Sequence, residues 1–303
     1  VAVRDLGYLA YLPAATLVAW LVPESRWDDC CLAAACLRAR VRPGWFARRA
    51  EAIGGYLGAQ DARAVVLGLS ANLHRARLQI LRSHRPPAWE PRFDLVGGEH
   101  IERAAAAGRG VILWLAPFVF DGLLTKMALH RAGFAVAHLS RSGHGFSTTR
   151  LGARYLNPLW TSVEDRYLAE RLTMTHDGSA HALRALVQRV RRNGIVSVTV
   201  GSQSQSTAAV PFLHGRIRVA DAVPALAVRT GAALLLLVTI READGRFVTT
   251  VEAPLCPNRD ENGDPARRFV EHAAARLEPW VRQYPAQFAA WDDVTAAEHA
   301  RRA

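Results

Sequence analysis

G-V-I-L-W-L-A-P-F-V-F-D, residues Gly110–Asp121, is the stretch on which the fold turns. Val111–Leu115 is an unbroken apolar run, the pattern of a strand buried on both faces. It stops at Pro117, which cannot extend a central ladder. Helical spacing resumes at Gly122–Ala132. A buried strand that feeds a loop and then a helix is the unit of an open α/β sheet, whose ligands bind at the carboxyl ends of its strands. The loop after Leu115 is therefore the expected address of the chemistry, although it carries little acid–base equipment.

Outward from this stretch the alternation continues. Gly98–Ala107 reads as a helix before it, and a strand at Phe134–Leu139 follows it. Helical segments run through Thr149–Leu156 and Ala180–Arg192. Strands lie at Ile195–Val200 and Ala233–Ile240, with Phe247–Ala253 returning through Ala243-Asp244-Gly245, and a last helix covers Pro265–Gln283. Short apolar runs between helices predict an α/β fold, a mostly parallel sheet with helices on both faces. Upstream, Ser25–Arg40, Gly44–Gly58 and the amphipathic Asp61–Arg82 read as helices, and H-R-P-P-A-W-E-P at His84–Pro91 reads as a linker. The expected division is an anchor helix at 1–23, a helical region and linker at 24–91, an α/β domain at 92–294 and a tail at 295–303.

Composition narrows the function. Half of the 303 residues are hydrophobic and 21% are charged, which argues for a folded core rather than a disordered chain. The formal charge is +11, and Lys126 is the only lysine among 38 basic residues. Such an excess suits an anionic partner. Nucleic acid is disfavoured, because no binding motif or aromatic–basic interleaving is present. Cys30, Cys31, Cys36 and Cys256 make no C-x-x-C pair and have no histidines at zinc spacing, so reduced thiols and no metal site are expected. Leu6–Val22 is uncharged, with Tyr8, Tyr11 and Trp20 placed as interfacial residues would be. It reads as a membrane-embedded or membrane-surface anchor in preference to a buried core helix, and Arg38, Arg40, Arg42, Arg48 and Arg49 would meet anionic headgroups beside it.

Several segments together carry a family resemblance. G-G-E-H-I-E-R-A-A-A-A-G-R-G-V-I-L (Gly97–Leu113), L-R-A-L-V-Q-R-V-R-R-N-G-I-V (Leu183–Val196), V-P-F-L-H-G-R (Val210–Arg216), P-A-L-A-V-R-T-G-A (Pro224–Ala232) and W-V-R-Q-Y-P-A-Q-F (Trp280–Phe288) resemble, in order and spacing, the lipid A late acyltransferases. These lauroyl and myristoyl transferases belong to the lysophospholipid-acyltransferase-like superfamily. The opening V-R-D-L-G-Y-L-A-Y-L-P resembles that family's anchor helix. The resemblance implies an enzyme at the cytoplasmic face of the bacterial inner membrane, with no bound cofactor. It would move an acyl group from acyl carrier protein or coenzyme A to a lipid hydroxyl, with anionic membrane lipid as a further partner.

The family's reaction rests on a His and an Asp or Glu five positions apart. The His removes the hydroxyl proton, and the carboxylate fixes its tautomer. Aligned without gaps from Gly110, these positions fall on Pro117 and Gly122. A shift of one residue gives Ala116 and Asp121, so neither register supplies a base. The Asp-Gln of the family's third strand is represented by Ser202-Gln203. Replacement candidates are Asp121 and His144, the latter in R-S-G-H-G-F, with His138 at the end of the preceding strand as another histidine that Asp121 would orient. Arg150 and Arg154, on one helical face, and Ser202 and Gln203, in G-S-Q-S-Q-S-T, are expected to bind substrate. His214 reads as a turn residue. Two readings stay open: an acyltransferase with an altered, possibly amine, acceptor that needs less base assistance, and a non-catalytic lipid- or acyl-chain-binding partner.

Overall fold

A computed structural model describes residues 3–58, 61–174, 179–201, 206–256 and 264–296. The chain opens with helices α1 (Val3–Leu21), α2 (Trp27–Val41), α3 (Pro43–Leu57) and α4 (Ala62–Arg82). It continues as β1 (Phe93–Val96), α5 (Gly98–Ala106), β2 (Val111–Leu115), a π-helical turn Asp121–Thr125, α6 (Lys126–Arg131) and β3 (Val136–Arg141). Next come α7 (Arg150–Tyr155), α8 (Pro158–Glu164), β4 (Glu170–Met174), α9 (Ser179–Arg191) and β5 (Ile195–Thr199). Then follow β6 (Thr207–Phe212), β7 (Gly215–Ala220), α10 (Ala222–Thr230), β8 (Ala233–Arg241), β9 (Phe247–Val251), α11 (Pro265–Gln283) and β10 (Val294–Ala296).

The expected α/β fold is present. The main sheet has the order β1-β9-β8-β2-β5-β3-β4, and only the β8–β9 pair is antiparallel. Strand β2 is central and fully buried, and its alternation divides the core. Ile112 and Trp114 pack with residues of α4, α9 and α11, while Val111, Leu113 and Leu115 pack with Ile101 of α5 and Leu129 of α6. The turn before β2 requires its glycine: Gly110 has φ +82°, and a Cβ there would lie 2.3 Å from the Val190 carbonyl. Five strands escaped the periodicity. β1 and β4 alternate weakly, and the hairpin β6–β7 with β10 forms a separate three-stranded sheet. His214 sits in that hairpin's turn and donates its backbone N–H to Tyr56.

The expected anchor helix is corrected in its membrane-spanning form. No helix of the described residues is long and apolar enough to cross a membrane. Helix α1 carries Pro13 in its middle and turns Leu12, Ala15 and Ala19 into a core shared with Leu78 and Leu81 of α4. The lack of charge in Leu6–Val22 is thus partly a packing requirement, met on one face by α4, while Leu17 and Leu21 stay exposed. Helix α4 is started by Asp61, whose carboxylate accepts from the Arg63 and Ala64 amides. Its buried Arg75 pairs with Glu24 at 3.0 Å and Asp28 at 2.7 Å. Asp28 also holds Arg241 at the end of β8, tying the N-terminal helices to the sheet.

Candidate active site

Local sequence puts one histidine and one glutamate in contact beyond the carboxyl end of the sheet. The loop after β3 carries His144 and is pinned by buried Asn157, whose Oδ1 accepts from the Ser147 amide at 2.9 Å and whose Nδ2 donates to the Ser147 carbonyl at 2.8 Å. Pro158 then starts α8, where its missing N–H costs nothing. The last residue of that helix is Glu164, fully buried.

His144 Nε2 lies 3.1 Å from Glu164 Oε1 and 3.0 Å from Oε2, so Nε2–H donates to the carboxylate. Lys126 Nζ and Arg171 Nη2 each reach Oε2 at 2.8 Å, and Trp160 Nε1 donates to Oε1 at 2.9 Å. Burial alone would favour the neutral acid. The charges of Lys126, His144 and Arg171 outweigh it and hold Glu164 well below the usual carboxylate range. Lys126 is itself buried, which pulls its ammonium below the ordinary value against the opposing pull of Glu164. The single lysine of the chain is therefore the compact counter-charge of this carboxylate. His144 is the partly exposed member, with 32% of its side chain open to solvent.

Gly122 explains why the carboxylate comes from α8. A Cβ at Gly122 would lie 3.3 Å from Glu164 Oε1, so the space beside position 122 is already occupied. Position 117 offers no titratable group. Pro117 is buried, its carbonyl accepts from the Ala289 amide at 2.8 Å, and Phe118 forms an isolated bridge with Phe288. The amides of Phe118, Val119 and Asp121 are all spent on carbonyls, of Ala116, Gln287 and Phe118 respectively.

Asp121 does not orient either histidine. It is buried, and its Oδ1 accepts from Thr125 Oγ1 at 2.7 Å, which continues to Thr239 and Thr249 through hydroxyl contacts of 2.5 and 2.9 Å. Its Oδ2 has no partner, and burial pushes its pKa up to about 7. An acid raised from about 4 keeps a proton longer when folded, so the stability it confers is complete below about pH 4 and lost as pH rises through about 7. Asp121→Asn removes that loss. The variant is expected to melt several degrees above the parent at pH 8 and level with it at pH 4, in parallel thermal denaturations.

His138 is buried, paired through Nδ1 with Ser197 Oγ at 2.9 Å, and held neutral chiefly by desolvation. Arg150 and Arg154 lie exposed on α7, with the Arg154 guanidinium over the Tyr155 ring, and neither is in the His144 cluster. Ser202 and Gln203 lie outside the described residues. Glu164, Arg171 and Trp160 escaped the sequence reading, because they are separated along the chain from His144 and match no spacing rule. Two surface cavities of about 360 and 350 Å³ lie along α11, and neither is lined by residue 117, 121, 144 or 164.

Among curated proteins no match is found. The family model of bacterial lipid A biosynthesis acyltransferases matches residues 76–291, a span that contains β1 to β9, α11 and the whole His144–Glu164 cluster. With the match covering well over half of the 303 residues, the chain belongs to the bacterial lipid A biosynthesis acyltransferase family.

Proposed function

We propose that this protein transfers an acyl group from a thioester donor, carried on acyl carrier protein or coenzyme A, to a lipid or amine acceptor at the cytoplasmic face of the inner membrane. His144 serves as the general base and Glu164 as its orienting carboxylate. The observation that carries this reading is the contact of His144 Nε2 with a carboxylate fixed by buried Lys126, half-buried Arg171 and an indole N–H. Glu164 keeps the proton on Nε2, which leaves Nδ1 to accept one from the acceptor's hydroxyl or neutral amine. The acceptor atom attacks the thioester carbon. Collapse of the tetrahedral intermediate breaks the C–S bond, and the imidazolium returns its proton to the departing thiolate. Proton transfer by a positioned base contributes typically about 10²- to 10⁴-fold, less for an amine than for a hydroxyl.

The carboxylate at 164 would do the work that the family assigns to position 122. Moving it back is a direct test. Glu164→Gln leaves Lys126 and Arg171 without their anion, and Gly122→Asp places a new carboxylate beside them. The double variant is expected to unfold at a higher temperature than Glu164→Gln alone. Gly122→Asp by itself sets two carboxylates side by side and is expected to unfold below the parent.

One observation favours the second reading, a non-catalytic lipid- or acyl-chain-binding partner. The loop after β2 is covered by the segment around Gln287–Ala289, which closes the address where the family's chemistry is expected. Acceptor-dependent release of thiol from an acyl-CoA separates the two readings: turnover supports the transferase, and saturable acyl-CoA binding without turnover supports the partner.

A further inference from the structure

The N-terminal helices hold a second charged cluster that shares no residue with the Glu164 site. The Arg38 guanidinium of α2 stacks over Trp45 at 4.6 Å, and Arg77 of α4 lies over Tyr8 at 6.0 Å and Tyr11 at 5.8 Å. Arg38 is half-buried, and its guanidinium is drawn below the ordinary value by burial first and then by the like charges of Arg77 and Arg42. Several other partly buried arginines are matched by carboxylates, Arg49 with Asp292, Arg75 with Asp28, Arg171 with Glu164 and Arg241 with Asp28, while Arg82 and Arg216 bond to backbone carbonyls. Among the described residues Arg38, Arg42 and Arg77 have no carboxylate partner. His74, beside them, adds no negative charge.

Guanidinium groups held together on aromatic faces without a counter-ion make a fork-shaped donor set that an oxyanion completes, with phosphate the best geometric match. On α2 the flanking positions Leu37 and Val41 are 62% and 69% exposed, so apolar side chains stand beside the cationic ones. We propose that Arg38 and Arg77, with Arg42 at the rim, form a binding site for a phosphate ester. Tyr8 also packs on Phe146 at 5.7 Å, and Phe146 on Trp160 at 5.3 Å, so the site is joined to Glu164 by a line of aromatic rings. The assignment stands independently of the role of His144.

Two sources of phosphate are separable with the full chain. In one arm, the protein is cosedimented with phosphatidylglycerol vesicles and with phosphatidylcholine vesicles. In the other, it is titrated calorimetrically with glycerol 3-phosphate and with inorganic phosphate. Arg38→Gln/Arg77→Gln is compared with Arg184→Gln/Arg191→Gln, a control of equal charge on α9, all checked for folding by circular dichroism. Binding in either arm that falls at least tenfold in the first pair and less than twofold in the control supports the site. The vesicle arm then marks a membrane lipid, and the soluble arm a free phosphate ester. Equal losses in the two pairs, or no saturable binding in either arm, overturn the proposal.

Discussion

His144→Gln is expected to lower kcat/KM for acyl transfer by about 10²- to 10⁴-fold while leaving the fold intact. His144 is partly exposed and contributes only one of several contacts to Glu164, so its loss leaves that carboxylate held by Lys126, Arg171 and Trp160. A glutamine preserves size and one hydrogen bond but cannot take a proton. The loss should shrink for an amine acceptor relative to a hydroxyl, because a neutral amine is already a good nucleophile. A structural role for His144 would lower activity and melting temperature together, with no dependence on the acceptor. Steady-state kinetics with matched alcohol and amine acceptors, read beside thermal denaturation, distinguishes the two.

Lys126→Met is expected to cost about 3–5 kcal/mol of folding stability, the usual penalty for removing one partner of a buried ion pair. Glu164 would then be fully buried with one of its two permanent cations gone. At roughly 2–4 °C per kcal/mol for a domain of this size, the melting temperature should fall by about 10 °C. The pH dependence has a definite sign. Glu164 is held well below the usual carboxylate range, so its contribution is present above the unfolded pKa and disappears as pH falls through the depressed folded value. With Lys126 gone the folded pKa moves up, and the acid-unfolding transition should shift to higher pH. Lys126→Arg is expected to be destabilising as well, because a planar guanidinium is larger than the ammonium for which this buried space is built. Urea denaturation at several pH values checks both variants.

The sheet was legible because its central strands are short apolar runs between helices, and Gly110–Asp121 alone indicated a strand, a loop and the edge where ligands bind. Elements whose apolar pattern was weak, such as β1 and β4, were not. The N-terminal helix misled as a spanning segment for a physical reason: an uncharged run looks alike whether it faces lipid or another helix, and the face that carries Leu12, Ala15 and Ala19 packs on α4. At the site, His144 was legible as a histidine in a glycine-flanked loop near the sheet edge. Its partner was not, because Lys126, His144, Glu164 and Arg171 come from four separate segments that meet only in space. One sign was available in the chain: Lys126 is the single lysine among 38 basic residues, and it is the one that meets Glu164. Asp121 was the natural candidate by spacing, and its burial against Thr125 removes it from the histidines.

The central claim is that this cluster performs chemistry. Its most direct test is thiol release from an acyl-CoA by the purified, folded protein, followed with and without an acceptor across a panel of lipid alcohols and amines. The result expected is release that depends on the acceptor and is lost in His144→Gln. Acyl-CoA bound saturably with no thiol released for any acceptor, or release unchanged in His144→Gln, would contradict it.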